Sequence, residues 1–401
     1  MKLIPALAEA AADLTAWRRD LHAYPELSFE EHRTAGVVAS KLECWGIEVE
    51  RGCAGTGVIG RLRSGVSGRS IGLRADMDAL PVQEANSFDH ASRHAGRMHA
   101  CGHDGHTTML LAAAWQLSRG PSFDGTVNFI FQPAEERGAG ALRMIEAGLF
   151  ERFPCDAVFA LHNWPGMPAG HFGLRSGPMM AGTSGFTITV AGRGAHAAMP
   201  HLGVDALMAA CHIALGLQLL VSRERDPLQS AVLSITQIHA GDTMNVIAPT
   251  AVLRGTVRVF DGATLDALES GLRRVAAGTA AAHNATATVD FRRNYPPLVN
   301  HKAECALAAE VMRAIVGDEA VDCAIPPTMA AEDFAYMLNK RPGCYAFIGN
   351  GNGTGAHRAP DHGSGPCGLH DTSYDFNDAL LPLGATYFVR LVERFFATTT
   401  P

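Results

Sequence analysis

No stretch of the 401 residues reaches the ~18 uninterrupted apolar positions that a membrane span needs, so the sequence predicts no membrane partner. Basic runs are missing as well. With 33 basic residues against 40 acidic ones, a net −7, nothing forms the positive patch that a nucleic-acid binder carries. Nine cysteines, an odd and scattered number with no C-x-x-C pair, build neither a disulfide framework nor a structural zinc site of closely paired ligands. Reduced, buried thiols of this kind point to the cytoplasm. The opening segment MKLIPALAEAAADLTAWRRD has no cleavage-site pattern and is broken by Glu9 and Asp13, so it reads as an amphipathic helix and not as a signal peptide. Internal repeats and low-complexity tracts are absent too.

What is present is an apolar content of 47%, enough to bury a core and exclude disorder, in a chain long enough for two to three domains at ~150 residues each. From residue 1 to about 180, short apolar strands (SIGLRA, VNFIFQ, AVFALH) alternate with helix-like stretches at 107–117 and 139–147. That alternation predicts an α/β fold with a mainly parallel sheet, whose ligands gather beyond the carboxyl ends of the strands. Asp76, Glu135, Glu136 and His162 each follow a strand closely. Between 183 and 296 the order becomes β-α-β-β-α-β, the ferredoxin-like plan, which predicts an inserted α+β satellite domain. The discontinuous first domain then comprises 1–182 and 297–401, with hinges near Gly182 and Pro296. Helix 206–221 is apolar nearly all round, so a further surface, read here as a subunit interface, is expected to cover it.

Histidine is the one unusual count. Of 18, five lie between His90 and His106. HACGHDGH offers Cys101 and His103, and a thiolate beside an imidazole suits zinc, manganese or a similar divalent ion. QPAEE places Glu135 and Glu136 side by side after a strand; adjacent residues point different ways, so one can bind metal while the other handles protons. ALHNW brings His162 and GLHDTSYDFND brings His370. Taken singly, His162 and His370 are each better explained as a hydrogen-bonded structural histidine. In RADMDALP, Asp76 and Asp78 would repel at a strand end unless a cation lies nearby.

In the order in which they occur, RADMDALP, MHACGHDGH, FQPAEE, ALHNWPG, GAHAAMPHLGVDAL, NVIAP, RGTVR, PPTMAAEDF and LHDTSYDFND span almost the whole chain. Together they resemble the metal-dependent amidohydrolases of the aminoacylase and carboxypeptidase superfamily, in the branch of hippurate hydrolases, N-acyl-amino-acid amidohydrolases and indole-acetyl-amino-acid hydrolases. The resemblance implies a centre of two divalent ions, Mn2+ or Zn2+ with Co2+ or Ni2+ as alternatives. Its ligands would be Cys101, His103, Glu136, His162 and His370, with Glu135 as general base and Asp78 supporting a ligand from behind. It also implies that His196, Asn245 and Arg258 contact the substrate, that His196 stabilises an oxyanion, and that the insert forms a homodimer or higher homo-oligomer. The implied reaction is hydrolysis of a small-molecule N-acyl or N-aroyl amino acid to a carboxylic acid and a free amino acid.

Arg137 stands where the family has glycine after PAEE, Ala248 displaces a proline by one position, and Ala330 replaces a glycine before AEDF. These departures touch loop shape and substrate preference but remove no ligand. Rival readings are a dipeptidase, a diaminopimelate deacylase, a thiol enzyme using Cys101, and a catalytically silent binding module on the same fold.

Overall fold

The computed structural model describes residues 1–351, 361–362 and 367–397. The chain divides into two compact units. The first holds Met1–Gly177, Val299–Pro326 and the chain from Tyr336 onward; the second holds Pro178–Leu298 and Pro327–Ala335.

Eight strands form the sheet of the first unit, in the order Glu48–Cys53, Gly57–Ser64, Gly125–Gln132, Ser70–Asp76, Ala157–Pro165, Gly343–Gly351, Phe172–Gly173 and Val321–Asp322. The four long central strands run parallel. Every residue of Ser70–Asp76, Gly125–Gln132 and Gly343–Gly351 is buried, the continuous pattern of strands covered on both faces. Antiparallel pairing appears toward the edges, at Glu48–Cys53 with Gly57–Ser64 and at Phe172–Gly173 with Gly343–Gly351. The helix His103–Ser118 is buried almost all round and packs against Leu381–Ala397 and Ala11–Ala23.

That helix begins four residues before the apolar stretch predicted at 107–117. Its first turn is His103, Asp104, Gly105 and His106, all buried, so polar residues hide the true start from a hydrophobic pattern. The strand predicted to stop at His162 runs on to Pro165 for the same reason: Asn163 is polar yet fully buried.

The second unit is a four-stranded antiparallel sheet, ordered Ala231–Ala240, Thr250–Val259, Gly182–Ala191 and Thr286–Tyr295, with helices Ala206–Ser222 and Gly262–Ala282. The β-α-β-β-α-β order is thereby realised as a ferredoxin-like α+β unit. Gly182–Ala191 buries alternate residues, the signature of a sheet packed on one face, and Ile188, Ile213, Leu217, Leu253 and Leu272 fill the core beneath it. Asp205 and Asp261 cap the two helices by accepting from the Met208 and Thr264 amides.

The second unit also takes in Pro327–Ala335, a stretch that no feature of composition or periodicity distinguishes from the rest of the chain beyond Pro296. The cause is backbone pairing. Ala181 N–H donates to the carbonyls of Thr328 and Ala330, and Thr328 N–H donates to that of Met179. Among the described residues no helix is long and apolar enough to cross a membrane.

Candidate metal centre

Parallel strands of one sheet end along one edge, and that geometry collects the chemistry. Ser70–Asp76 delivers Asp76 and then Asp78; Gly125–Gln132 leads into Glu135 and Glu136; Ala157–Pro165 carries His162. Cys101 and His103 flank Gly102 at the start of the long buried helix. His370 N–H donates to the Ala100 carbonyl at 2.7 Å, which brings that loop beside Cys101.

The five expected ligands and the expected base converge in the first unit. Donor atoms of Cys101, Glu136 and His370 lie within 4.8 Å of one another, as do those of His103, Glu135 and Glu136. Cys101 Sγ is 3.5 Å from His162 Nε2, and His370 Nε2 is 3.2 Å from Glu136 Oε1.

Hydrogen bonds behind the donors decide which lone pairs point inward. Asp78 accepts the Glu135 and Glu136 amides, both at 3.1 Å, and the Ser28 hydroxyl at 2.7 Å. One of its oxygens also lies 3.3 Å from His103 Nδ1, which donates to it. His103 Nε2 is then buried with no hydrogen-bond partner, 3.9 Å from the same Glu136 oxygen that His370 Nε2 approaches. A carbonyl only accepts, so His162 Nδ1–H donates to Asn163 O at 2.6 Å, and its Nε2 lone pair faces Cys101. An imidazole nitrogen without a hydrogen-bond partner, a buried carboxylate oxygen, a thiol and two further imidazoles make a donor set that fits divalent ions.

Electrostatics agree. Burial opposes charge on His103, but Asp76, Asp78 and Glu136 outweigh it and push its pKa up to about 10, a demand for local positive charge. Burial, reinforced by Glu136, Glu135 and Asp76, pushes the Cys101 thiol well above its ordinary range; a bound cation is what would release that proton. Burial, with His106 beside it, holds His162 well below the usual histidine range and so neutral, as a ligand must be.

Asp76 and Asp78 do not confront each other unrelieved. Burial disfavours the Asp76 charge, yet His103, Arg74 and His106 hold its carboxyl well below the usual range, through contacts that include Arg74 Nη1 at 2.8 Å and His106 Nδ1 at 2.7 Å. His106 Nε2 accepts the Asn163 amide at 2.9 Å. With both ring nitrogens engaged, His106 offers no free lone pair, although it lies among Asp76, His103 and His162. Sequence reasoning assigned no part to His106, Arg74 or Asn163; the only signal was their adjacency to HACGHDGH, RADMD and ALHNW.

His196, Asn245 and Arg258 lie in the second unit, at two ends of it. His196 pairs with Val246 across a short ladder, accepts the Ala198 amide at Nδ1 and is exposed; the Asn245 carbonyl accepts the Ala197 amide. Arg258 faces Thr183, whereas Thr250, at the end near Asn245, faces Ala191. Eight residues of strand, about 26 Å at ~3.3 Å each, separate Thr250 from Arg258. The Arg258 guanidinium is half-buried and approaches Met329 O at 3.5 Å. The structure therefore brings His196 and Asn245 together and sets Arg258 apart from them.

Comparison with known proteins yields consistent matches. The sequence profile of Peptidase family M20/M25/M40 matches residues 72–394. A hippurate hydrolase of Campylobacter jejuni is 38% identical over 395 residues, 98% of this chain and 100% of that protein. An N-acetyl-L-cysteine deacetylase of Bacillus subtilis is 42% identical over 336 residues, 83% of this chain and 79% of its own. A solved Bacillus subtilis structure, described as a dinuclear metal binding peptidase from the M20 family, superposes with a TM-score of 0.84 at 34% identity, covering 98% of this chain and 100% of that one.

Proposed function

The chain belongs to Peptidase family M20/M25/M40, and from that premise we propose that it hydrolyses the amide bond of small N-acyl or N-aroyl amino acids. One observation carries the reading: Cys101, His103, Glu136, His162 and His370 converge from four separate segments with Glu135 beside them. Those five residues would hold two divalent ions, manganese or zinc, with cobalt or nickel able to substitute. When bound, such ions supply a water whose pKa falls from 15.7 toward 7 and polarise the amide carbonyl.

The chain's own residues do the rest. Glu135 takes the proton of the attacking water and passes it to the leaving nitrogen, a role typically contributing 10²–10⁴-fold. Asp78 fixes both the Glu135 backbone and the His103 ring, so the base and a ligand are oriented by one carboxylate. Asn245 helps to position the substrate, His196 stabilises the oxyanion, and Arg258 pairs with the substrate's carboxylate through a two-pronged guanidinium contact.

A single acyl amino acid is far shorter than the ~26 Å of strand between Arg258 and the end of the unit that holds His196 and Asn245. In one chain the two ends therefore serve different sites, which favours a homodimer through the second unit. Leu215 and Leu219 stand exposed on helix Ala206–Ser222, which packs across the edge strand Ala231–Ala240, a contiguous apolar and hydrogen-bonding surface for a second copy. The cytoplasm is the compartment that nine unpaired cysteines favour.

The test is a panel of benzoylglycine, N-acetylcysteine, indole-acetyl amino acids and dipeptides, assayed with manganese or zinc after chelation. Release of a free amino acid from acyl substrates, restored by metal, is expected. Full activity in the presence of EDTA would instead favour a thiol enzyme, and inertness toward the whole panel would favour a silent binding module.

A further inference from the structure

Cys101 and His162 lie 61 residues apart in sequence, and no covalent constraint sets their side chains 3.5 Å from each other. One side chain ties the two segments together. Asn163, the residue after His162, donates from Nδ2 to the Cys101 carbonyl at 2.7 Å, and its own carbonyl accepts the His162 ring proton at 2.6 Å. Asn163 is itself held on every polar atom. Its Oδ1 accepts the Tyr374 hydroxyl at 2.8 Å, and its backbone amide donates to His106 Nε2 at 2.9 Å. The His106 ring in turn donates to Asp76 at 2.7 Å. Asn163 and Tyr374 are fully buried and His106 nearly so, so none of these bonds competes with bulk water.

The same residues shape the turn that separates two ligands. Gly102, between Cys101 and His103, has φ +87°, and a Cβ there would stand 2.4 Å from both Asn163 Nδ2 and Tyr374 Oη. Asn163 and Tyr374 thus press against the backbone of the C-G-H turn while bonding to it.

We infer that Asn163 is a positioning residue for the metal centre: it holds the Cys101 and His162 donors in register, and Tyr374 and His106 lock it in place. The inference rests on the metal-centre reading above. Outer partners of metal ligands typically change metal affinity 10–100-fold when removed, and a clamp shared by two ligands belongs in that range.

The experiment is titration of Co2+ into metal-free full-length protein, following the thiolate-to-cobalt absorption band and competing with a chelator of known affinity. It compares wild type with Cys101→Ser, Asn163→Ala and Tyr374→Phe. Wild type is expected to show the band and Cys101→Ser to lose it. Asn163→Ala should bind Co2+ about 10–100-fold more weakly with a shifted band, and Tyr374→Phe, which removes one hydroxyl, should move the same way by less. Cooperative melts of the metal-free variants separate this from unfolding, and if Asn163→Ala fails to fold, Tyr374→Phe decides. An unchanged affinity and band in both variants, with wild type showing the band, would overturn the positioning role alone. No band in wild type would overturn the metal-centre reading and this inference with it.

Discussion

The proposed function gives the neighbours Glu135 and Glu136 separable roles, and the separation can be measured. Glu135→Gln keeps size and hydrogen bonding but cannot take a proton, so turnover should fall by about 10²–10⁴ while metal content stays at the wild-type level. Glu136→Gln should instead lose metal. Metal analysis with the pattern reversed would mean that the roles are exchanged. At this scale the candidate residues were legible mainly through the family resemblance, which picked out Cys101, His103, Glu136, His162 and His370 as a set; taken singly, His162 and His370 read as ordinary structural histidines. What holds them was not legible. Asn163, His106 and Tyr374 are ordinary residues in sequence, and only the fold brings the asparagine after His162 onto the carbonyl of Cys101. The expectation that Asp76 and Asp78 need a nearby cation was incomplete, since Arg74, His106, Ser28 and two backbone amides answer them within the protein.

Among elements, the helix Ala11–Ala23 does more than its reading as an amphipathic opening helix implies. It inserts Arg18 and His22 into the interior, where His22 meets Asp104 at 2.8 Å and Glu84 at 3.2 Å, with Arg18, His90 and His99 close by. Burial opposes the His22 charge, but Asp104 and Glu84 outweigh it and push the pKa up to about 10 from an ordinary 6.5. Between those values the folded state binds more protons than the unfolded one, so this contribution is complete below pH 6.5 and is lost as pH rises through 10. Asp104 runs oppositely. Burial disfavours its charge, yet His22, His99 and Arg18 hold its carboxyl well below the usual 3.8, and its contribution disappears in acid. Thermal melts of metal-free protein should therefore show Tm falling between pH 7 and 10, and His22→Gln should start lower at pH 6 and decline less steeply. Parallel slopes in the two proteins would contradict the buried ion pair. The helix Ala206–Ser222 follows its sequence more directly: apolar nearly all round, it buries Ile213, Leu217 and Leu220 and leaves Leu207, Met208, Leu215 and Leu219 exposed. Leu215→Arg with Leu219→Arg should yield a monomer by light scattering with the fold of the second unit intact. A wild-type protein that is already monomeric would remove the premise.

For the whole molecule, the β-α-β-β-α-β order of the insert and the strand-helix alternation around it were readable because each periodicity continues over whole elements. Pro327–Ala335 joining the second unit was not, since that assignment rests on backbone bonds to Met179 and Ala181 that carry no side-chain pattern. If His196 works across a dimer, mixing His196→Ala subunits with Glu135→Gln subunits should restore activity, because some mixed dimers regain one intact site. No recovery after subunit exchange would confine His196 to its own chain. The proposed hydrolysis rests on the metal centre, and metal titration tests that directly. Metal-free protein should take up two ions per chain, with benzoylglycine hydrolysis rising as they bind and both lost in Cys101→Ser with Glu136→Gln. Full hydrolysis by protein free of bound metal, or uptake indifferent to those two substitutions, would contradict the account.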